Sequence, residues 1–271
     1  MSKEKYLVAI DLDGTLLRDD KTISSTTKNY LRKFENEGNI VVITSGRAPR
    51  SVISYQNFLG IEGPYSCYNG TYAYINDVLP LIEHKLNKDI LKNIYKKVIN
   101  NEVNSVMSED LKTIFYDKDN ESLKNFFDRK DMKVIQGDID KILDSDPYIF
   151  IMDINEPYEI NKNKLIELFK SIPDYEIRFW NDVQFAEIYK KGVNKASTLR
   201  KIVEFCNVNE ENVLVFGDET NDEDLLKSFK HSFLMCNGNL LIKDHAKYVT
   251  KKDNNNDGVI FSIQEFISKR K

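Results

Sequence analysis

At 271 residues the chain is long enough to bury a sizeable core and to divide into two modest domains. It is 41% hydrophobic and 30% charged, with 39 basic and 43 acidic residues spread along the chain, which argues against a nucleic-acid binder relying on a basic face and leaves only local patches open. No apolar run approaches the roughly 18–20 residues of a membrane span, the charged start Met1-Ser2-Lys3-Glu4-Lys5 is no signal peptide, and Cys67, Cys206 and Cys236 lack any C-x-x-C spacing, so the expectation is a cytoplasmic protein without membrane or nucleic-acid partners.

The first eighty residues alternate strand and helix. Tyr6-Leu7-Val8-Ala9-Ile10 is a short apolar run ending at Asp11, the pattern of a strand buried on both faces. Ser24 or Ser25 caps a predicted helix reaching Glu37 and closed by Gly38. Ile40–Thr44 reads as a second buried strand leading into Ser45-Gly46-Arg47, and a helix follows over 50–59. Short strands are predicted at 65–68 and 71–75 around an Asn69-Gly70 hairpin turn.

Between about Pro80 and Ile188 the pattern changes. Helices are expected over 88–100, Ser122–Arg129 and 162–171, interleaved with strands at 103–107, 112–116, 148–154, 175–179 and 184–188. Helices covering one side of an antiparallel sheet would make this a separate α+β domain. After Lys195 the first pattern returns, with a helix over 195–205, the strand Val213–Phe216, and then Gly217-Asp218. The predicted division is therefore an α/β core from 1–80 and 189–271, interrupted by an insertion over 81–188.

Asp11 and Asp13 directly follow a buried strand, and ligands of open parallel sheets bind at the carboxyl ends of the strands. A turn at Gly14 can aim both carboxylates into one crevice, one to attack an electrophile and bind metal, the other to move a proton. Taken alone, the segment is also an ordinary Asp-Gly turn. Ser45 and the Gly46 N–H end the second strand at the same edge and suit a phosphate oxygen. Asp218 ends a third strand; Asp11 and Asp218 would suffice for Mg²⁺, which prefers oxygen ligands and few protein carboxylates. Lys195 after the Gly192 turn would bring positive charge, although a lone lysine in this Lys-rich chain reads by default as a surface residue.

The ordered set Asp11-Leu12-Asp13-Gly14-Thr15-Leu16, Ser45-Gly46-Arg47, Lys195 and Gly217-Asp218-Glu219-Thr220-Asn221-Asp222 resembles the four motifs of the haloacid dehalogenase superfamily. The position and length of the insertion, with Tyr68-Asn69-Gly70-Thr71 before it and Asp257-Gly258-Val259 near the end, look like its Cof-type (IIB) subfamily. The resemblance implies a Rossmann-like three-layer core with a parallel sheet, plus a mobile C2-type cap. It implies Asp11 as nucleophile and Asp13 as general acid/base, with Ser45, the Gly46 amide, Lys195 and Asn221 holding the phosphoryl group. Mg²⁺ would be bound by Asp11, Asp218 and the Asp13 backbone carbonyl, with Asp222 supporting them. Thr44 competes with Ser45 as the motif's hydroxyl, and Ser45 is favoured because it directly precedes Gly46. An acid/base at position 13 favours phosphoryl transfer over dehalogenation.

The expected activity is a phosphatase acting on small phosphorylated metabolites, sugar phosphates first and then cofactors such as pyridoxal phosphate or flavin mononucleotide, in a monomer or weak homo-oligomer. The alternatives are a phosphomutase on the same scaffold and a ligand-binding protein that kept the fold but not the chemistry. Asp253-Asn254-Asn255-Asn256-Asp257-Gly258 imitates the first half of an EF-hand loop, but Gln264 stands where the last ligand should be Glu, so a polar turn before a final strand and helix is expected instead. His84, His231 and His245 have no metal-ligand spacing. Arg178-Phe179-Trp180-Asn181 is a candidate contact for a leaving group, with a core Phe179 and a solvated Arg178 as the plainer expectation.

Overall fold

The computed structural model describes residues 5–76, 81–121, 123, 131–180 and 183–270. Two compact units result, Met1–Ile82 with Asn194–Lys271, and Glu83–Val193.

The first unit carries β1 (Leu7–Ile10), α1 (Ser25–Asn36), β2 (Ile40–Thr44), α2 (Pro49–Leu59), β3 (Tyr65–Cys67) and β4 (Tyr72–Tyr74). β5 (Leu81–Glu83) straddles the division between the units. Local chemistry explains the limits of the helices. The Ser24 hydroxyl accepts the Thr27 N–H to start α1, and Gly60 in the left-handed region ends α2. β1 pairs in parallel with β2 on one side and with β12 (Val213–Gly217) on the other. The strands β13 (His231–Leu234) and β14 (Tyr248–Val249) continue in parallel beyond β12. The sheet order is β14-β13-β12-β1-β2-β3-β4-β5, and β4 turns antiparallel to β3, so the sheet is parallel only as far as β3.

Leu7, Ala9, Val42, Val213 and Val215 meet apolar side chains from the helices Lys195–Phe205 and Glu223–Ser228. Strand alternation turns Val8, Ile10 and Phe216 to the opposite face, where Phe216 stacks on Phe233 and Phe233 meets Phe266 of the last helix, Gly258–Ser268. The result is a helix–sheet–helix sandwich. Truncating a fully buried residue such as Phe216 to Ala would cost about 3–5 kcal/mol, so the strand ends rest on a stiff floor. The last helix follows the 253–257 turn directly. The strand expected there is replaced by β14, which lies before the turn.

The second unit is a six-stranded sheet of order β10-β11-β9-β6-β7-β8, antiparallel except for the β7–β8 pair. Its strands are β6 (Val103–Glu109), β7 (Thr113–Tyr116), β8 (Lys133–Gln136), β9 (Ile149–Ile154), β10 (Tyr175–Phe179) and β11 (Phe185–Lys190). Leu91, Ile94 and Val98 of the helix Lys88–Val98, with Leu165 and Phe169 of Tyr158–Lys170, pack on Val106, Phe150, Met152 and Ile188. β11 runs on to Lys190 opposite Tyr175, so this unit ends at Val193 rather than at 188. Of the expected helix over Ser122–Arg129 only Leu123 is among the described residues, and Asn181 lies outside them. Phe179 packs against the apolar cluster, but Arg178 is not solvated: it lies over the Tyr189 ring and 3.8 Å from Glu187.

Candidate active site

The three central parallel strands end at one edge of the core sheet, and the next residue after each is polar: Asp11 after β1, Ser45 after β2 and Asp218 after β12. The Asp11 N–H donates to the Phe216 carbonyl at 3.1 Å, which extends the ladder one residue and fixes where its side chain leaves the sheet. Ile43, one turn of pleat earlier in β2, stands level with Ile10.

Lys195 is fully buried at the start of its helix, where Asn194 and Ser197 form a capping box. Its ammonium donates to Asp11 Oδ1 at 2.6 Å and to Asp222 Oδ1 at 2.7 Å. It is therefore not the surface lysine that a Lys-rich chain suggests. Asp222 Oδ2 accepts the Asp218 N–H at 3.0 Å, so both oxygens of this buried carboxylate are engaged in holding its neighbours. Thr15 Oγ1 donates to Asp218 Oδ1 at 2.8 Å. Gly14 has φ +72° and passes so close to Asp218 that a Cβ there would lie 2.1 Å from Oδ2.

Asp11, Asp218 and Asp222 each offer an oxygen within 4.8 Å of the others, the one such acidic cluster among the described residues. Burial pushes the Asp11 carboxyl up, against the pull of Lys195, and the Asp222 charge adds to the rise. Burial also pushes Asp218 up, with the charges of Asp11 and Asp222 acting in the same direction. The same neighbours raise the Lys195 ammonium although burial opposes it. A cation between Asp11 and Asp218 would relieve this repulsion. The donor set is all oxygen, and Oδ2 of each has no hydrogen-bond donor among the described residues, so the site fits a hard divalent ion.

Asp13 is turned to different partners. Arg47 grips it with Nε at 2.6 Å from Oδ2 and Nη2 at 2.7 Å from Oδ1, and Lys21 adds a third bond at 2.8 Å. Burial opposes ionisation, but these bonds and charges outweigh it and hold the Asp13 carboxyl at about 2. Ser45 is buried, and its Oγ accepts the Arg47 N–H at 3.2 Å. The Thr44 hydroxyl, also buried, has no hydrogen-bond partner among the described residues. Asn221 Nδ2 donates to Asn69 Oδ1 at 3.0 Å, and Asn69 crowds Gly46, where a Cβ would stand 3.1 Å from that oxygen.

Sequence reasoning gave no role to Arg47, Lys21 or Asn69. Arg47 stands inside the Ser-Gly-Arg segment and was within reach of that reasoning. Asn69 read only as a turn residue, and its positive φ of 53° fits that reading too. Lys21, separated from Asp13 by a surface turn, left no signal.

Comparison with known proteins places the chain in a family. A family model described as haloacid dehalogenase-like hydrolase matches residues 8–263. The 5-amino-6-(5-phospho-D-ribitylamino)uracil phosphatase YitU of Bacillus subtilis is 30% identical over 271 residues, 99% of this chain and 100% of that protein. A second protein of that name, YcsE, also from Bacillus subtilis, is 28% identical and covers 96% of this chain and 95% of its own. Among solved structures, the subclass IIB sugar phosphatase BT4131 superposes with a TM-score of 0.80 at 21% identity, covering 97% of this chain and 99% of its own.

Proposed function

This chain belongs to the haloacid dehalogenase-like hydrolase family and is a phosphatase, and we propose that it hydrolyses a small phosphate monoester through an aspartyl-phosphate on Asp11. The observation that carries this reading is the buried Asp11–Lys195–Asp222 arrangement with Asp218 beside it at the sheet edge.

Asp11 attacks phosphorus in line with the leaving oxygen, so that its own O–P bond forms as the ester O–P bond breaks. Asp13 gives the leaving oxygen a proton, then takes one from the water that splits the aspartyl-phosphate and frees Asp11. Held by Arg47, Asp13 is ionised and can only accept a proton. The donor role therefore requires it to leave that grip and carry a proton to the leaving group. Ser45 Oγ, the Gly46 N–H and Asn221 receive the phosphoryl oxygens, and Lys195 offsets the charge on Asp11. Mg²⁺ is the ion we assign to Asp11, Asp218 and the Asp13 carbonyl, with Asp222 fixing Asp218. When bound it supplies charge neutralisation for the approaching phosphate. Selection of the leaving group is assigned to the inserted unit Glu83–Val193.

Two relatives that span nearly the whole chain bear the same name, so 5-amino-6-(5-phospho-D-ribitylamino)uracil is the first substrate to try, ahead of sugar phosphates, pyridoxal phosphate and flavin mononucleotide. The test measures free phosphate and isomerised product across that panel, with and without Mg²⁺, for the wild type and Asp11→Asn. Mg²⁺-dependent phosphate release that Asp11→Asn abolishes is the expected result. Undiminished release by that variant would remove Asp11 as nucleophile, and isomerised product without free phosphate would replace hydrolysis by a mutase reaction.

A further inference from the structure

The polar turn Asp253–Gly258 remains unassigned by this chemistry. It does not gather ligands: Asp253 Oδ1 accepts from Asn256, Asn255 bonds to Asp19, and Asp257 accepts from Ser24 and Thr27. These bonds to Asp19, Ser24 and Thr27 all lead to the segment that follows Asp11. Gly258 makes the turn possible, since a Cβ there would lie 2.0 Å from the Lys252 carbonyl oxygen.

Asn254 is the buried member of the turn. Its side-chain N–H groups donate to the Leu17 carbonyl and to Asp19 Oδ1, both at 2.9 Å. Leu17 closes the loop that holds the reacting carboxylates: its own N–H donates to Leu12 at 2.8 Å, and the Leu16 N–H donates to the Asp11 carbonyl at 3.2 Å. The Asn254 main-chain N–H donates to Asn237 Oδ1 at 3.2 Å, and Asn237 Nδ2 donates to the Gly14 carbonyl at 2.8 Å. One asparagine thus ties the loop at its base and, through a second, at its tip. The tip is the residue whose backbone packs against Asp218.

We propose that Asn254 and Asn237 are positioning residues, bracing the Asp11–Leu17 loop so that Asp11 and Asp218 keep their spacing. The proposal rests on Asp11 and Asp218 being the reacting centre. Neither asparagine touches a carboxylate of that centre, and both act through backbone carbonyls.

The test compares Asn237→Ala and Asn254→Ala with Asn256→Ala, whose side chain lies in the same turn and bonds only within it. Amide hydrogen exchange over residues 12–17 reads the brace without reference to any reaction, and kcat and KM read its consequence. Expected are faster exchange in that segment for both brace variants and kcat lower by about fivefold to tenfold, the factor that one lost hydrogen bond converts to. KM should stay within twofold, and Asn256→Ala should match the wild type in both readouts. Asn237 is exposed, so its variant should keep the wild-type melting temperature, which separates positioning from stability. Unchanged exchange overturns the brace. Faster exchange with kcat no lower than that of Asn256→Ala overturns its role in positioning. Should the wild type show no turnover on any phosphate ester, the proposed reaction fails while the exchange measurement still decides the brace.

Discussion

Replacing Lys195 with Met keeps most of the length and apolar stem of the side chain and removes its charge together with its two hydrogen bonds. Lys195 is completely buried, 2.6 Å from Asp11 and 2.7 Å from Asp222, and Asp218 stands within the same cluster. Without the ammonium, three carboxyl groups share one buried site with no counter-charge. Breaking a buried ion pair by removing one partner typically costs about 3–5 kcal/mol. The site has one escape, which is to keep a carboxyl protonated. That costs about 1.4 kcal/mol for each pH unit above the ordinary value of 3.8, so it caps the penalty for one carboxyl at about 6 kcal/mol at pH 8 and about 2 at pH 5.5. The expected result is a metal-free protein destabilised by about 3–5 kcal/mol at pH 8 and by about 2 or less at pH 5.5. In a chain of this size that is a fall in melting temperature of roughly 10 °C at pH 8. Thermal unfolding of wild type and Lys195→Met at both pH values, after chelation, makes the measurement. A loss below about 1 kcal/mol at pH 8, or the same loss at both pH values, would refute the reasoning.

The wild type has its own pH signature. Asp11 and Asp218 are raised from 3.8 to about 7 and about 8 in the fold, so the stability they contribute is complete below about pH 4 and is lost as pH rises through 7 to 8. Melting of the metal-free protein should fall across that window, and saturating Mg²⁺ should flatten the fall; a flat metal-free profile would contradict the raised carboxyls. Gly14→Ala places a Cβ 2.1 Å from Asp218 Oδ2 at a φ of +72°, so Mg²⁺ affinity measured by calorimetry should drop at least tenfold, with a strain cost of about 1–3 kcal/mol. Unaltered Mg²⁺ binding would show that Asp218 is not the ligand. Ser45→Ala should lower kcat by about 10²–10³ as a lost oxyanion donor. Thr44→Val, which removes a buried hydroxyl without a partner, should leave kcat alone and be neutral or stabilising by about 1 kcal/mol. The opposite pattern would move the motif's hydroxyl to Thr44.

The core strands were legible because a strand covered on both faces must read as an unbroken apolar run, and Leu7–Ile10, Ile40–Thr44 and Val213–Gly217 do. Their polar successors at 11, 45 and 218 then share an edge by topology alone, since parallel strands all end on the same side. Boundaries in the inserted unit were less legible. β11 extends to Lys190 through Tyr189 and Lys190, half-buried residues whose apolar signal is weak, and its pairing with Tyr175 is a long-range fact that no local window contains. The strand expected after Asp257 failed for a related reason: Gly258–Ser268 is apolar enough to suit either element, and helix length won over β-branching at its start.

What sequence spacing could not supply is which partner each polar group chooses. Asp11 and Asp13 stand two apart with the same side chain, yet one meets the buried Lys195 and is raised, while the other meets Arg47 and Lys21 and is lowered to about 2. The difference lies in the loop. Asp11 continues the β1 ladder, whereas Gly14 bends the chain just after Asp13 and leaves it partly exposed beside cations from two other loops. These tendencies run opposite to the two roles in the first half of the reaction, since the nucleophile must be ionised and the acid protonated. They also set a demand on motion. The Arg47 grip suits Asp13 as the base in the second half of the reaction, so the first half must begin with that grip released. Arg47→Ala should therefore speed protonation of a poor alkoxide leaving group relative to a good aryl one, and an equal effect on both would mean that Asp13 never leaves Arg47 during turnover.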